Sequence, residues 1–313
     1  MRGLSFFYRS VDSPKALKNS AEDKDVSDLE QSPAVDPNAL RVRPKVQIWH
    51  LLAIVCVIVF CVFPFYWMVA ASFKSQQDIL SPEPKFIFTP TFENYQRAVS
   101  KFDVPRSLEN SLIVAVSTTA LAILLGAPAA FAIARFEFRG KKDLWFWFIT
   151  NRMLSPIVLA LPFFILARNL HLLNTQLVLI LVYLTFNVPI VIWICADQFR
   201  NIPRELDEAA TLEGYSSFAI FWKIGLPLAA PGIAVSAIFS FIFSWNELLY
   251  ALVLNTRADA QTAPVVATNF MSGYELPWGQ IMATGTMIVL PVIIFSIIVS
   301  RQLVRGLTMG AIK

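Results

Sequence analysis

The chain has 313 residues, 56% of them hydrophobic and only 15% charged, with a mean hydropathy of +0.57. A soluble domain of this length cannot bury that much apolar surface, so lipid is the solvent the composition calls for. The net charge of +4 comes from short basic clusters beside apolar runs, which argues against a nucleic-acid partner and assigns those clusters to membrane topology.

Residues 1–45 are polar and mixed in charge, running through Lys15, Glu22, Asp25 and Glu30 without an apolar period, and are expected to form a disordered cytoplasmic tail. The first apolar stretch begins near Gln47 and is long enough to span, so it reads as an uncleaved first helix rather than a signal peptide. Nearly charge-free runs then occupy 47–73, 110–134, 144–167, 177–196, 228–254 and 280–300. Each meets the requirement of about 20 residues to cross the hydrocarbon at helical rise. Lipid cannot satisfy loose backbone polar groups, and these runs are too long and too uniformly apolar for barrel strands. The expected fold is therefore all-α, a polytopic membrane protein with six transmembrane helices in one domain over 46–304 and a short tail at 305–313.

Arg41, Arg43 and Lys45 precede the first run; Arg135, Arg139, Lys141 and Lys142 follow the second; Arg200, Arg204 and Lys223 follow the fourth; Arg301, Arg305 and Lys313 close the chain. About thirteen cations fall on that side against about seven on the other, which places both termini in the cytoplasm. Trp49, Trp67, Trp145, Trp147 and Trp278 sit near the expected headgroup levels. Pro64, Pro128, Pro156, Pro162, Pro189 and Pro291 lie inside runs, where each removes a helix hydrogen bond and marks either a moving break or a static kink. Cys56, Cys61 and Cys195 have neither zinc nor disulfide spacing, and His50 and His171 stand far apart, so metal and histidine chemistry have no raw material.

The polar segment at 198–227 is the most informative. Pro203 can open a helix over 204–213, Gly214 permits a left-handed exit, and a second short helix over 215–224 would end before Pro227. Within it, Glu208, Ala209, Ala210, Gly214, Ile224, Leu226 and Pro227 stand at the spacing of the EAA loop, and the segment resembles that loop of importer permeases of the ATP-binding cassette (ABC) superfamily. The resemblance implies a type I importer permease fold and makes these seven residues the ATPase-coupling site. Small side chains at Ala209 and Ala210 would permit close approach, and Glu208 would offer a carboxylate for a charge-assisted bond. No GxxxxGK[ST] phosphate loop occurs, and Gly140-Lys141-Lys142 lacks the rest of that motif, so the energy must come from another polypeptide.

Further stretches are similar to the carbohydrate-importer branch, in particular to the smaller permease subunit of the maltose-type transporter: the PFYWMVAASFK sequence ending at Lys74, Phe92-Glu93-Asn94-Tyr95, Asn110-Ser111, Ser244-Trp245-Asn246-Glu247 and the terminal GLTMGAIK. That resemblance implies a second homologous permease subunit, an ATP-binding cassette ATPase dimer that uses ATP and Mg2+, and a periplasmic or lipid-anchored solute-binding protein. The chain itself is expected to be no enzyme, to bind no cofactor, and to sit in the bacterial inner membrane importing a sugar or related polyhydroxylated solute. A polyol, glycerol phosphate or polyamine stays open as the alternative. The outer loop at 255–279 resembles the element that reaches toward the binding protein, or is a plain connector.

Polar groups inside the apolar runs are the candidates for the solute pathway: Asn187, Trp245, Asn246 and Glu247. An aromatic face with amide and carboxylate groups suits a polyhydroxylated solute, although such groups also tie helices together. Arg152 lies about two turns into the third run, where it would snorkel to the interface or pair with Asp197.

Overall fold

The structure, a computed structural model, describes residues 48–270 and 276–310, with side chains described through residue 298. The expected amino-terminal tail and the last three residues lie outside the described residues. Met1–Val59 and Phe60–Lys313 are separate compact units. In the first, the described part is the leading half of α1 (Ile48–Ser72), whose side chains are exposed throughout. A helix apolar on every face is the form that lipid, rather than a protein core, stabilises.

The second unit holds the rest of α1, then α2 (Gln76–Ile79), α3 (Glu93–Phe102), α4 (Val104–Arg135), α5 (Lys141–Met153), α6 (Pro156–Asn169) and α7 (Gln176–Arg200). α8 (Glu205–Leu212) and α9 (Ser217–Ile220) follow; α9 continues through a π-helical turn at Phe221–Gly225 into α10 (Leu226–Leu228). α11 (Ala230–Trp245), α12 (Leu249–Leu254), α13 (Ala263–Asn269) and α14 (Trp278–Gly310) complete the chain, and no strand occurs among the described residues. α1, α4, α7 and Trp278–Ile298 of α14 are each long and apolar enough to cross a membrane, and two bent helix pairs bring the number of spans to six if each pair counts as one.

Those pairs correct two of the expected rods. The third run breaks at Leu154–Ser155, where α5 and α6 meet at 96°. Pro156 opens α6, and a proline drives the residue before it out of the α region; Ser155 accordingly has ψ 126°. The fifth run is not one helix over 228–254. α11 stops at Trp245, and its bend of 77° lies at the other end, against the helix ending at Leu228. The Asn246 amide turns back to donate to the Ile242 carbonyl at 2.9 Å, while the Glu247 carboxylate accepts from the Tyr250 and Ala251 amides at 3.0 and 3.2 Å and so starts α12 afresh.

α4 and α7 form the centre of the bundle, joined by small residues that let the backbones approach: a Cβ on Gly126 would lie 2.7 Å from Val191 Cγ1. Near the start of α4, Asn110 donates to the Asp259 and Gln261 carbonyls, both at 3.0 Å, and accepts from Gln176. The Ser111 hydroxyl accepts from Ala263 N, and Asn255 donates to the Thr175 and Ala260 carbonyls. The segment at 255–262 is thus pinned across α4 and α7. Asn94 donates to the Ser72 and Lys74 carbonyls, and Tyr95 shares a hydrogen bond with Ser72. Two of the short sequence signatures, Asn110-Ser111 and Phe92 to Tyr95, are therefore fastenings of loops to helix ends.

Candidate functional site

The polar segment after α7 folds as a surface knob of two helices. α8 begins at Glu205, one residue later than the sequence suggests, and places Asp207 and Glu208 in its first turn, where carboxylates favour the helix N-terminus. Gly214 leaves α8 with φ +86° and open space where a Cβ would be, so its role is conformational freedom. The Tyr215 amide donates to the Ala210 carbonyl and Gly214 N to Thr211 O, closing the helix end. Ser216 then caps α9 by accepting from Ala219 N.

The second helix outruns its expected end. It passes Pro227 because Leu226 N bonds back to Phe221 O, a widened π turn that makes room for the proline ring and its missing donor. Gly225 in that turn packs on aromatic rings: a Cβ there would meet Phe131 at 3.1 Å and Phe199 at 3.5 Å. Phe131, Phe199 and Phe221 form one cluster, with Phe131 at 5.3 Å from both partners. The knob is thereby rooted on the ends of α4 and α7.

The seven loop residues divide between outside and inside. Glu208, Ala209, Gly214 and Pro227 are exposed; Ile224 and Leu226 are half-buried against the core; Ala210 is buried in it. Ala210 therefore faces its own chain, which corrects the expectation that both alanines are free to meet a partner. The outer face adds Leu212, 91% exposed, and Phe218, 72% exposed. Beneath the knob, Arg135 at the end of α4 forms an ion pair of 2.7 Å with Asp207, and both side chains are largely shielded from solvent. Arg135 lines a cavity of about 210 Å³ with Phe131, Asp207, Glu208 and Ile220. Nearby, the Lys141 ammonium hydrogen-bonds Glu137 and holds that carboxyl below the usual range.

Two of the four pathway candidates, Asn187 and Glu247, come together between α7 and the α11–α12 break. Asn187 is fully buried and donates to the Tyr183 carbonyl at 2.9 Å and to Ser244 Oγ at 3.0 Å. Tyr183 in turn donates to Glu247 at 2.8 Å, so Asn187 and Glu247 belong to one polar cluster across α7 and the α11–α12 break. Trp245 is buried and stacked on Phe241, apart from that cluster, while Asn246 is exposed. Arg152 makes no ion pair with Asp197; its guanidinium lies over the Phe243 ring, 5.0 Å from the centroid. It contributes the one charge to a cleft of about 340 Å³ walled by Trp145, Phe148, Pro189, Trp193 and Phe239.

Sequence reasoning did not single out Asp207, Tyr183 or Gly225, counted Arg135 only as a topology charge, and named Ser244 only within a short signature. Asp207 directly precedes Glu208 and Arg135 closes a charge-free run, but each looks like an ordinary end charge until the fold brings the two together.

Residues 113–309 match the model of the family described as the binding-protein-dependent transport system inner membrane component. The chain belongs to that family. It is 40% identical over 261 residues to a trehalose transport system permease protein of Mycobacterium tuberculosis, covering 82% of this chain and 94% of the relative. It is 32% identical to a trehalose/maltose transport system permease protein of Thermococcus litoralis, covering 84% and 95%. Among solved structures it matches a bacterial ABC transporter involved in the import of the acidic polysaccharide alginate, with TM-score 0.67, 20% identity and coverage of 81% and 95%. That likeness shows the type I importer permease fold. This member of the family is thus a multi-pass inner-membrane transport permease and not an enzyme.

Proposed function

We propose that the permease forms half of an import pathway for a disaccharide or related polyhydroxylated solute, and that its α8–α10 knob passes the motion of a separate ATPase to that pathway. The observation that carries the coupling role is the knob itself: an acidic and apolar outer face, Glu208, Ala209, Leu212 and Phe218, on a base rooted in α4 and α7. The sugar class is supported by the relatives at 40% and 32% identity, whose names specify trehalose and trehalose or maltose. The aromatic cleft beside Arg152 has the chemistry for it, since rings stack on sugar C–H faces and a guanidinium donates to hydroxyls.

In this reading a second homologous permease completes the pathway, an ATPase dimer consuming ATP and Mg2+ docks on the knob, and a solute-binding protein delivers cargo from outside. Both termini are cytoplasmic, on the side of the denser cationic flanks. Of the four pathway candidates, Asn246 and Glu247 have surface to offer a solute, and Asn187 and Trp245 act from behind them.

The test is hydrolysis and uptake by the assembled complex in vesicles. Glu208→Ala and Gly214→Pro are expected to leave membrane insertion intact while separating ATP hydrolysis from transport. Normal uptake by both variants sinks the coupling role. Uptake of a polyol, glycerol phosphate or polyamine in preference to disaccharides sinks the solute class.

A further inference from the structure

The ion pair beneath the knob has a use that the docking surface alone does not explain. Arg135 is the last residue of α4, and its side chain is only 6% exposed; Asp207 stands in the first turn of α8 and is 19% exposed. Each charge sits at the helix end whose dipole favours it, a cation at the C-terminus of α4 and an anion at the N-terminus of α8. The ion-pair contact, Arg135 Nε to Asp207 Oδ2, is close at 2.7 Å, yet Arg135 Nε and Nη2 and Asp207 Oδ1 make no aligned hydrogen bond among the described residues. Two charges shielded from water stabilise little on balance, but either one left alone there is costly. The pair therefore holds α8 in one place more than it adds to overall stability.

The rest of the knob is anchored differently. The second helix is rooted by Ile220, Phe221 and Gly225 in the aromatic cluster. α8 has one side chain in the core, Ala210, and leaves through Gly214, which has no side chain of its own to pack. Among the described residues, the Arg135 to Asp207 pair is the ion pair between α8 and the long helix α4.

We propose that Arg135 and Asp207 are positioning residues for energy coupling: their ion pair makes α8 move as one body with α4, so that displacement of the outer face of the knob reaches the helix at the centre of the bundle. This rests on the knob being the coupling element, and its test separates the two ideas.

The experiment uses the complex of this permease with its native partners, in a background where Cys56, Cys61 and Cys195 are replaced by serine or alanine. Spin labels are placed on Leu125, an exposed residue of α4, and on Glu213, the exposed residue that closes α8. Double electron–electron resonance then gives the distance distribution without nucleotide and after trapping with ATP and vanadate. With Arg135 and Asp207 in place, a narrow distribution with the same mean in both states is expected. Arg135→Gln and Asp207→Asn are each expected to broaden it about twofold or more while the ATPase still co-purifies and hydrolyses ATP, and Arg135→Lys, which keeps the charge, is expected to narrow it again. The proposal is overturned by unchanged width in both neutral variants, by broadening that lysine does not reverse, by a mean that shifts between states with the pair intact, or by failure of both neutral variants to assemble. Should Glu208→Ala and Gly214→Pro transport normally while the distances behave as expected, the coupling role of the knob fails and the rigid link of α8 to α4 survives as a structural fact.

Discussion

Replacing Gly126 by alanine probes the α4–α7 contact on which the bundle is built. The added Cβ would lie 2.7 Å from Val191 Cγ1 and 3.0 Å from Val191 Cβ. Carbon atoms pack comfortably at about 3.5–4.0 Å, so about 1 Å must be found. Val191 has no exposed surface, and a β-branched side chain on a helix keeps essentially one χ1 rotamer, so the side chain cannot swing away and the helices must part. Alanine gains up to about 1 kcal/mol of helix propensity over glycine, while overpacking a tight interior costs about 1–3 kcal/mol. With the clash against atoms close to the Val191 backbone, the upper part of that cost applies, and the net is about 1–2 kcal/mol of destabilisation. At about 2–4 °C per kcal/mol, the melting temperature of the purified protein in detergent, followed by tryptophan fluorescence, should fall by about 2–8 °C. Val191→Ala in the same background removes Cγ1 and should restore most of the loss, giving a coupling of about 0.5–3 kcal/mol in the double-mutant cycle. A Gly126→Ala protein that melts at or above the wild-type temperature would refute the reasoning, as would a deficit that Val191→Ala leaves untouched.

Asn187→Ala removes the donor to the Tyr183 carbonyl and Ser244 Oγ and should lower stability by about 0.6–1.7 kcal/mol, read as a drop in the same melting curve; an unchanged midpoint shows that α7 and α11 do not depend on this tie. The exposed turn at 75–85 should loosen in acid. Asp78 hydrogen-bonds Lys85 and Ser75, and these hold its carboxyl below the usual range. A carboxylate with a lowered folded-state pKa stabilises above its unfolded value and loses that contribution as pH falls through the folded one, so the loss is expected below about pH 4. Hydrogen exchange of the α2 amides should accelerate there in the wild-type protein and show no such acid step in Asp78→Asn.

The apolar runs were legible because hydropathy is a sum over neighbouring residues, and any helix that lies in lipid must carry it whatever it packs against. The left-handed exit at Gly214 was legible for the same reason, being a property of a few consecutive residues, and it is present with φ +86°. Where a run was long enough to span, composition did not show that the rod breaks. The right-angled turn at Ser155 and the restart at Glu247 both fall inside runs that read as single spans, although Asn151, Arg152, Asn246 and Glu247 stand at or beside them. Pro156 was visible as a break point, but not the 96° it produces.

The division within the polar loop at 198–227 followed from tertiary contacts. Ala209 and Ala210 are adjacent and chemically identical, and only the packing of α8 on Phe131 and its neighbours turns one outward and the other into the core. Arg152 shows the same limit: its depth was apparent from its place in a run, but its neighbour proved to be the Phe243 ring and not Asp197.

From its own residues, then, the chain determined that it lives in lipid, that it is built of helices, and that the polar segment at 198–227 folds as a helix–glycine–helix knob. The tertiary structure decided which charge meets which, with Arg135 on Asp207, Tyr183 on Glu247 and Arg152 on an aromatic ring. Solvation and backbone preference act residue by residue and are written locally. Ion pairs, close glycine contacts and cavities depend on the faces that distant helices present to one another, and those exist only after the bundle has formed.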